Sequence, residues 1–413
     1  MIINIFLKKF ATTTTCDKLT PLTQTPQSGL MSLKKKAIIF TLVLSGILLT
    51  IYQYFFYALL IIPALVFVFF YRKIKKAVYI LLYFFRLFLK KHPQVVETGA
   101  AVEKYHFIQL ANGRKLSYQV FGLPNGWPVF YFHGTPSSSS EAQLFTDEFL
   151  INNQIRLIAI DRPGIGRSGI QKNRTFSNWA KEVEEVANNL GIDKFSVLGF
   201  SGGGPYVAAC TAFIPERLAS ALIVSGAWQM NAKEAQQHIY ERVRLFWKMA
   251  AKAPFLLPYI LKGMQTEKEE ITEEDVENWK HKATEVDFNF LNENNRIGHL
   301  KRAIMFALSN IKGTTWDVKM FVRKWDFNPE KISFPITILH GLQDRTVPVA
   351  LVEKMAAIIP NSTLKLYDNE GHYSILGNQL QDVIYAVTGK AAILPEKFEP
   401  IVNDEQVSNP IVN

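Results

Sequence analysis

The sequence predicts an α/β protein: an eight-stranded, mostly parallel sheet with helices on both faces, a helical cap insertion, and N-terminal membrane helices. Three observations carry this expectation. From residue 105 onward, short β-branched and aromatic runs alternate with amphipathic stretches. Runs such as Val129-Phe130-Tyr131-Phe132 and Ile336-Thr337-Ile338-Leu339 are nearly continuously apolar, as parallel strands covered on both faces require. Residues 37–71 form a run of 35 positions without a charged side chain.

The strands are expected at about 105–110, 115–121, 128–133, 156–161, 195–200, 221–225, 336–340 and 363–367. Helical patterns fall at about 138–152, 177–190, 203–213, 349–359 and 379–387. The first two strands, joined by Asn112-Gly113, read as an antiparallel hairpin leading into the sheet. Residues 228–331 break the alternation, with helical patterns, an acidic patch at 267–277, and no convincing strand. An insertion of that size between two strands reads as a helical cap. The expected organisation is a basic leader over 1–36, a membrane segment over 37–71 and a basic interfacial linker over 72–100. A core over 101–226 and 332–390 follows, with the cap over 227–331 and a tail over 391–413. The leader is Thr-rich with Pro21, Pro26 and Gly29, and reads as disordered.

The formal net charge of +10 is unevenly placed. Residues 1–92 hold thirteen Lys and Arg against a single acid, Asp17, leaving the remaining chain at −2. A nucleic-acid partner would want its basic stripe on the folded domain, so none is expected. The charge instead brackets the apolar run, with Lys34-Lys35-Lys36 before it and Arg72, Lys73, Lys75 and Lys76 after it. As one straight helix the run would extend about 52 Å, against a hydrocarbon core of about 30 Å. It reads either as one long tilted helix or as a hairpin turning near residues 52–55. Basic clusters at both ends suit a hairpin that returns to the cytoplasmic face, which also puts the catalytic domain there. The only cysteines, Cys16 and Cys210, exclude a disulfide scaffold and an all-cysteine metal site.

The most informative motif is Gly199-Phe200-Ser201-Gly202-Gly203, lying between an expected strand and an expected helix. A serine on a tight strand-to-helix turn is thrust outward, and small residues two positions either side let the turn close. The N–H of Gly202, at the start of the helix, can meet a developing oxyanion. A serine hydroxyl needs a base, and the base needs an acid to orient it. Strand ends supply candidates: Asp344 in His340-Gly341-Leu342-Gln343-Asp344, and His372 in Gly371-His372-Tyr373. Asp368 is a rival acid nearby. His133-Gly134-Thr135-Pro136, after the third strand, offers a second oxyanion donor at Thr135.

The chain order Ser201, Asp344, His372, together with Asp161-Arg162-Pro163-Gly164-Ile165-Gly166-Arg167-Ser168, makes residues 105–390 resemble the α/β-hydrolase superfamily. The resemblance implies Ser201 as nucleophile, His372 as base, Asp344 as its orienter, and Thr135 and Gly202 in the oxyanion hole. It does not reach residues 1–92. Duller roles suit other residues: Asp161 ties its own turn, His133 orients the oxyanion loop, His340 is a core histidine, His281 and His299 lie on the cap surface, and Cys210 is an inert core thiol. No P-loop, dinucleotide fingerprint or His-Glu-x-x-His occurs, so no cofactor and no metal are implied. The expected function is a membrane-anchored serine hydrolase acting on a small-molecule or lipid-like carboxylic ester. A catalytically silent binding protein, and an amide or thioester hydrolase, stand as alternatives.

Overall fold

The computed structural model describes residues 28–89, 105–266 and 271–390. The expected tail, most of the leader and the end of the linker lie outside the described residues. The chain divides into two units, residues 1–83 and 84–413.

The described residues of the first unit all lie in one helix, α1 (Ser28–Leu89), 62 residues long with Pro63 inside it, which runs on past residue 83. Its stretch Lys35–Tyr71, of 37 residues, is long and apolar enough to cross a membrane. Polar side chains within it are satisfied by the helix itself: Thr41, Ser45 and Thr50 donate to the carbonyls of Ala37, Thr41 and Gly46 at 2.9, 2.9 and 2.8 Å. The hairpin expectation is not met. Residues 52–55 carry no glycine or proline to end the helix, and the backbone runs through them unbroken. The helix also continues over residues 72–89, where a linker was expected.

The second unit is built on an eight-stranded sheet: β1 (His106–Gln109), β2 (Lys115–Gly122), β3 (Trp127–Phe132), β4 (Ile155–Ile160), β5 (Phe195–Phe200), β6 (Leu218–Val224), β7 (Ile336–Gly341) and β8 (Ser362–Tyr367). Their spatial order is β1-β2-β4-β3-β5-β6-β7-β8. β1 and β2 form the antiparallel hairpin, β2 pairs antiparallel with β4, and every later pairing is parallel.

The two-sided apolar strands have the two-layer consequence the sequence implies. On β3, Phe130 and Phe132 point to one face while Val129 and Tyr131 point to the other. The first face is covered by α3 (Phe176–Asn189), α4 (Gly204–Phe213) and α11 (Val349–Ile358), through Trp179, Val183, Val207 and Leu351. The second is covered by α2 (Asp147–Asn152) and α13 (Leu380–Thr388), through Phe149, Leu150, Val383 and Ile384. The carbonyl of Val387, in α13, accepts hydrogen bonds from Trp127 Nε1 at 3.1 Å and Ser196 Oγ at 2.6 Å, tying the end of the fold to β3 and β5.

The expected helix over 138–152 is two pieces. A 3₁₀ turn (Ser139–Leu144) stops at Phe145, whose backbone is extended, and α2 restarts behind Thr146, whose side chain accepts from Phe149 N. Between β6 and β7 the described residues are helical or irregular: α5 (Glu241–Lys252), α6 (Leu257–Gly263), α7 (Glu273–Lys282), α8 (Glu285–Asn292), α9 (Arg296–Leu308) and α10 (Ile311–Met320). After β8, the short α12 (Ile375–Asn378) precedes α13.

Candidate active site

Ser201 follows β5 directly and has φ of +50°, a left-handed conformation that costs a non-glycine residue about 1–2 kcal/mol. The turn closes because its flanks are bare. A Cβ on Gly199 would lie 2.5 Å from the Gly203 carbonyl oxygen, and one on Gly203 only 2.0 Å from that of Phe132. Ala227 N–H donates to the Ser201 carbonyl at 2.7 Å and holds the turn against the end of β6. The Ser201 side chain stands above the C-terminal edge of the sheet, where parallel α/β sheets place their ligands.

The imidazole of His372 lies there too. Its Nε2 is 3.0 Å from Ser201 Oγ, and its Nδ1 is 2.7 Å from Asp344 Oδ2. The other Asp344 oxygen accepts the N–H groups of Thr346 and Val347 at 2.7 and 2.9 Å, which fixes the carboxylate plane. Nδ1 therefore donates to Asp344, leaving the Nε2 lone pair facing the serine hydroxyl. The loops after β7 and β8 meet closely: a Cβ on Gly341 would lie 2.2 Å from the Glu370 carbonyl oxygen. Phe200 and Tyr373 pack against the imidazole, with ring centroids 5.1 and 5.0 Å away. Burial pulls the His372 pKa down, but the adjacent Asp344 carboxylate outweighs it and holds the imidazole above its ordinary value. Burial pushes Asp344 up, and the facing imidazole brings it below the usual carboxylate range.

The loop after β3 approaches the serine: a Cβ on Gly134 would lie 3.4 Å from Ser201 Cβ. Gly134 N–H is already spent on Glu141 Oε2 at 2.6 Å. The next N–H, that of Thr135, lies beside Gly202: a Cβ added to Gly202 would sit 2.9 Å from Thr135 N. Thr135 and Gly202 are thus in contact, with Ser201 between Gly202 and the β5 strand. This arrangement can hold an acyl oxygen while a hydroxyl attacks the carbon.

The other sequence-derived residues take definite places. His133 is buried, its Nδ1 2.9 Å from the Gly134 carbonyl and its Nε2 3.4 Å from Arg162 N. Burial and the Arg162 cation hold it well below the ordinary histidine value, so it is neutral. Asp161 accepts from Ser117 Oγ and Ser139 N, both at 2.7 Å, and burial pushes its pKa to about 6. His340 is buried, its Nε2 donating to the Val347 carbonyl at 3.1 Å. His281 is largely exposed, at 74% of its side chain, whereas His299 is half-buried. Asp368 contributes its carbonyl to Gln343 Nε2 at 3.3 Å, and it is Asp344 that meets the imidazole. Burial alone raises the pKa of the Cys210 thiol.

Among the buried acids that sequence reasoning passed over are Glu141, Asp287 and Asp317. Glu141 accepts from Tyr131 Oη at 2.8 Å as well as from Gly134, and burial raises its pKa. Asp287 on α8 and Asp317 on α10 come from the helical insertion. In the sequence Asp287 reads as part of a Thr284-x-x-Asp287 helix start, and Asp317 as an ordinary helix polar residue; neither position advertises a distant partner.

A doubly layered sheet of this order, with a serine on a strained turn after β5 and an aspartate and histidine on later strand ends, defines an architecture of one type. The chain belongs to the alpha/beta hydrolase fold family, which it matches over residues 128–379. It is 22% identical over 285 residues to a bifunctional esterase/perhydrolase of Acinetobacter calcoaceticus, covering 64% of this chain and 92% of that protein. It is 26% identical over 296 residues to a 2-hydroxy-6-oxononadienedioate/2-hydroxy-6-oxononatrienedioate hydrolase of Klebsiella pneumoniae, covering 68% and 88%. The structure of an esterase from a Rhodococcus species superposes with a TM-score of 0.50 at 18% identity, over 68% of this chain and 99% of that one, a likeness of fold.

Proposed function

We propose that this chain is a serine hydrolase that cleaves a carboxylic ester through an acyl-enzyme and is anchored in a membrane by α1. The observation that carries the reading is the bridging imidazole, 3.0 Å from Ser201 Oγ and 2.7 Å from Asp344. His372 takes the Ser201 proton as Oγ bonds to the acyl carbon. The N–H groups of Thr135 and Gly202 receive the negative charge on the former carbonyl oxygen. As that intermediate collapses, His372 returns the proton to the leaving alcohol; water then repeats the sequence and frees the acid. The esterase activity named for the Acinetobacter calcoaceticus relative supports an ester substrate.

A fluorophosphonate probe tests the nucleophile. Labelling of the wild type and its loss in Ser201→Ala is the expected result; equal labelling of both removes Ser201 from this role. Turnover of matched ester, amide and thioester substrates then ranks the bond cleaved, with the ester expected first.

The length and composition of Lys35–Tyr71 support the anchor. The larger basic cluster follows that stretch, which supports a cytoplasmic location for the residues after it. The full chain is expected to stay with the membrane through alkaline carbonate washing, and a chain lacking residues 1–104 to leave it. Release of the full chain by carbonate would refute the anchor.

A further inference from the structure

We infer that the helical segment between β6 and β7 is a working part of the catalytic apparatus, joined to it at two points by Asp287 and Asp317, each a positioning residue. The inference rests on the roles given above to Ser201, His372 and Thr135.

Asp287, on α8, is 4% exposed. Its Oδ2 accepts the N–H of His372 at 2.9 Å, and its Oδ1 accepts the N–H groups of Tyr373 and Ser374 at 2.6 and 3.0 Å. Three successive donors on one carboxylate fix the backbone that carries the imidazole. The approach is tight enough to forbid a side chain in between: a Cβ on Gly371 would lie 2.4 Å from Asp287 Oδ2. Ser225 Oγ holds the same loop from the sheet side, donating to the His372 carbonyl at 2.8 Å. The backbone that carries the ring is thus held between the end of β6 and a helix of the insertion.

Asp317, on α10, is 1% exposed and acts on the opposite loop. It accepts from Thr135 Oγ1 at 2.6 Å, from Arg162 Nε and Nη2 at 3.0 and 2.8 Å, from Tyr206 Oη at 2.7 Å, and from Arg174. Arg162 in turn donates to the carbonyls of His133 and Gly134, the latter at 2.7 Å, and to Thr135 Oγ1 at 2.7 Å. The Gly134 carbonyl and the Thr135 N–H belong to one planar peptide. Pinning that oxygen on Arg162 therefore sets the direction of the opposed N–H, the one beside Gly202. Asp317 keeps the arginine in place for this, and its own hydrogen bond to Thr135 locks the side chain.

Both halves of the chemistry, the base and the oxyanion donor, hence depend on docking of the same insertion. It cannot lift away as an independent lid without releasing the His372 loop and the Thr135 peptide together. Displacement of a reacting group by about 1 Å costs on the order of 10²-fold in rate.

The test uses the full chain, a short soluble p-nitrophenyl ester, and separate kcat and KM values for Asp287→Asn, Asp317→Asn and Thr135→Val. Asp317→Asn leaves two arginines poorly balanced, so Thr135→Val, which removes only the hydroxyl with its contacts to Asp317 and Arg162, is the variant expected to stay folded. The expected result is a fall in kcat of about 10²-fold in Asp287→Asn and Asp317→Asn and about 10-fold in Thr135→Val. KM should change less than about threefold, with fluorophosphonate labelling of Ser201 slowed in parallel. A merely structural role would lower the fraction of folded enzyme and its Tm but leave kcat per labelled serine unchanged, and that result overturns the inference. Wild-type chain that is neither active nor labelled would instead overturn the hydrolase reading beneath it.

Discussion

Replacing Asp344 by asparagine changes one atom and should disable the site through the histidine. In the wild type, Asp344 Oδ1 accepts the N–H groups of Thr346 and Val347, while Oδ2 accepts the proton of His372 Nδ1. Asparagine has one acceptor oxygen, and the two backbone donors claim it. Its NH₂ group then faces Nδ1, which can meet it only as an acceptor. The imidazole proton is driven to Nε2, where it points at Ser201 Oγ, 3.0 Å away. A ring protonated there cannot take the serine proton. In Ser-His-Asp sites the wrong tautomer costs about 10⁴-fold in kcat, equivalent to about 5.5 kcal/mol of transition-state stabilisation. Steady-state hydrolysis of a p-nitrophenyl ester, normalised to folded protein by Tm and circular dichroism, reads the effect, and Asp368→Asn serves as the comparison. An Asp344→Asn enzyme within tenfold of wild type, or an Asp368→Asn enzyme equally impaired, would refute the argument from the two occupied oxygens.

Two further outcomes follow from the same geometry. The Asp344 carboxylate holds His372 above its ordinary value, and the base works only when neutral. The kcat/KM profile of the free enzyme should therefore fall on acidification with a midpoint above about 6.5; a midpoint below about 6 would contradict it. The same direction means that the protonated fold is favoured at low pH, and the contribution of the His372–Asp344 pair to stability is lost as pH rises through the folded-state pKa. Gly203→Ala would place a Cβ 2.0 Å from the Phe132 carbonyl oxygen, a backbone atom that cannot rotate aside. A cost of about 3 kcal/mol is expected, seen as a Tm drop of about 6–12 °C with loss of serine labelling; an unchanged Tm would show that the β3–β5 approach has slack.

Residues whose role depends on their own neighbours were legible in the sequence. The apolar runs of β3 and β7 declared a sheet covered on both faces because every second residue must be buried on each side. The elbow was legible because its glycines answer to a local closure, one turn of chain wide. Asp287 and Asp317 were not, since their meaning lies in pairings across 85 and 182 residues, to His372 N and Thr135 Oγ1. Asp287 also belongs to the start of α8, where its Oδ2 accepts from Thr284 Oγ1 at 2.9 Å. One carboxylate serves a helix start and a distant loop, and periodicity sees only the first. The break at Phe145 was missed for another reason, an apolar period that runs on across an extended residue. The signal to weigh against it was Thr146 followed by Asp147 and Glu148, a strong helix start.

The grip of Val387 on Trp127 and Ser196 has a consequence for biosynthesis. The carbonyl that fastens β3 and β5 lies 260 residues beyond Trp127, close to the end of the described fold. A ribosome exposes the apolar helix before the sheet, and most of the sheet before the segment that latches it. The growing polypeptide therefore presents its long apolar helix well before the segment carrying His372 and Val387 has been made.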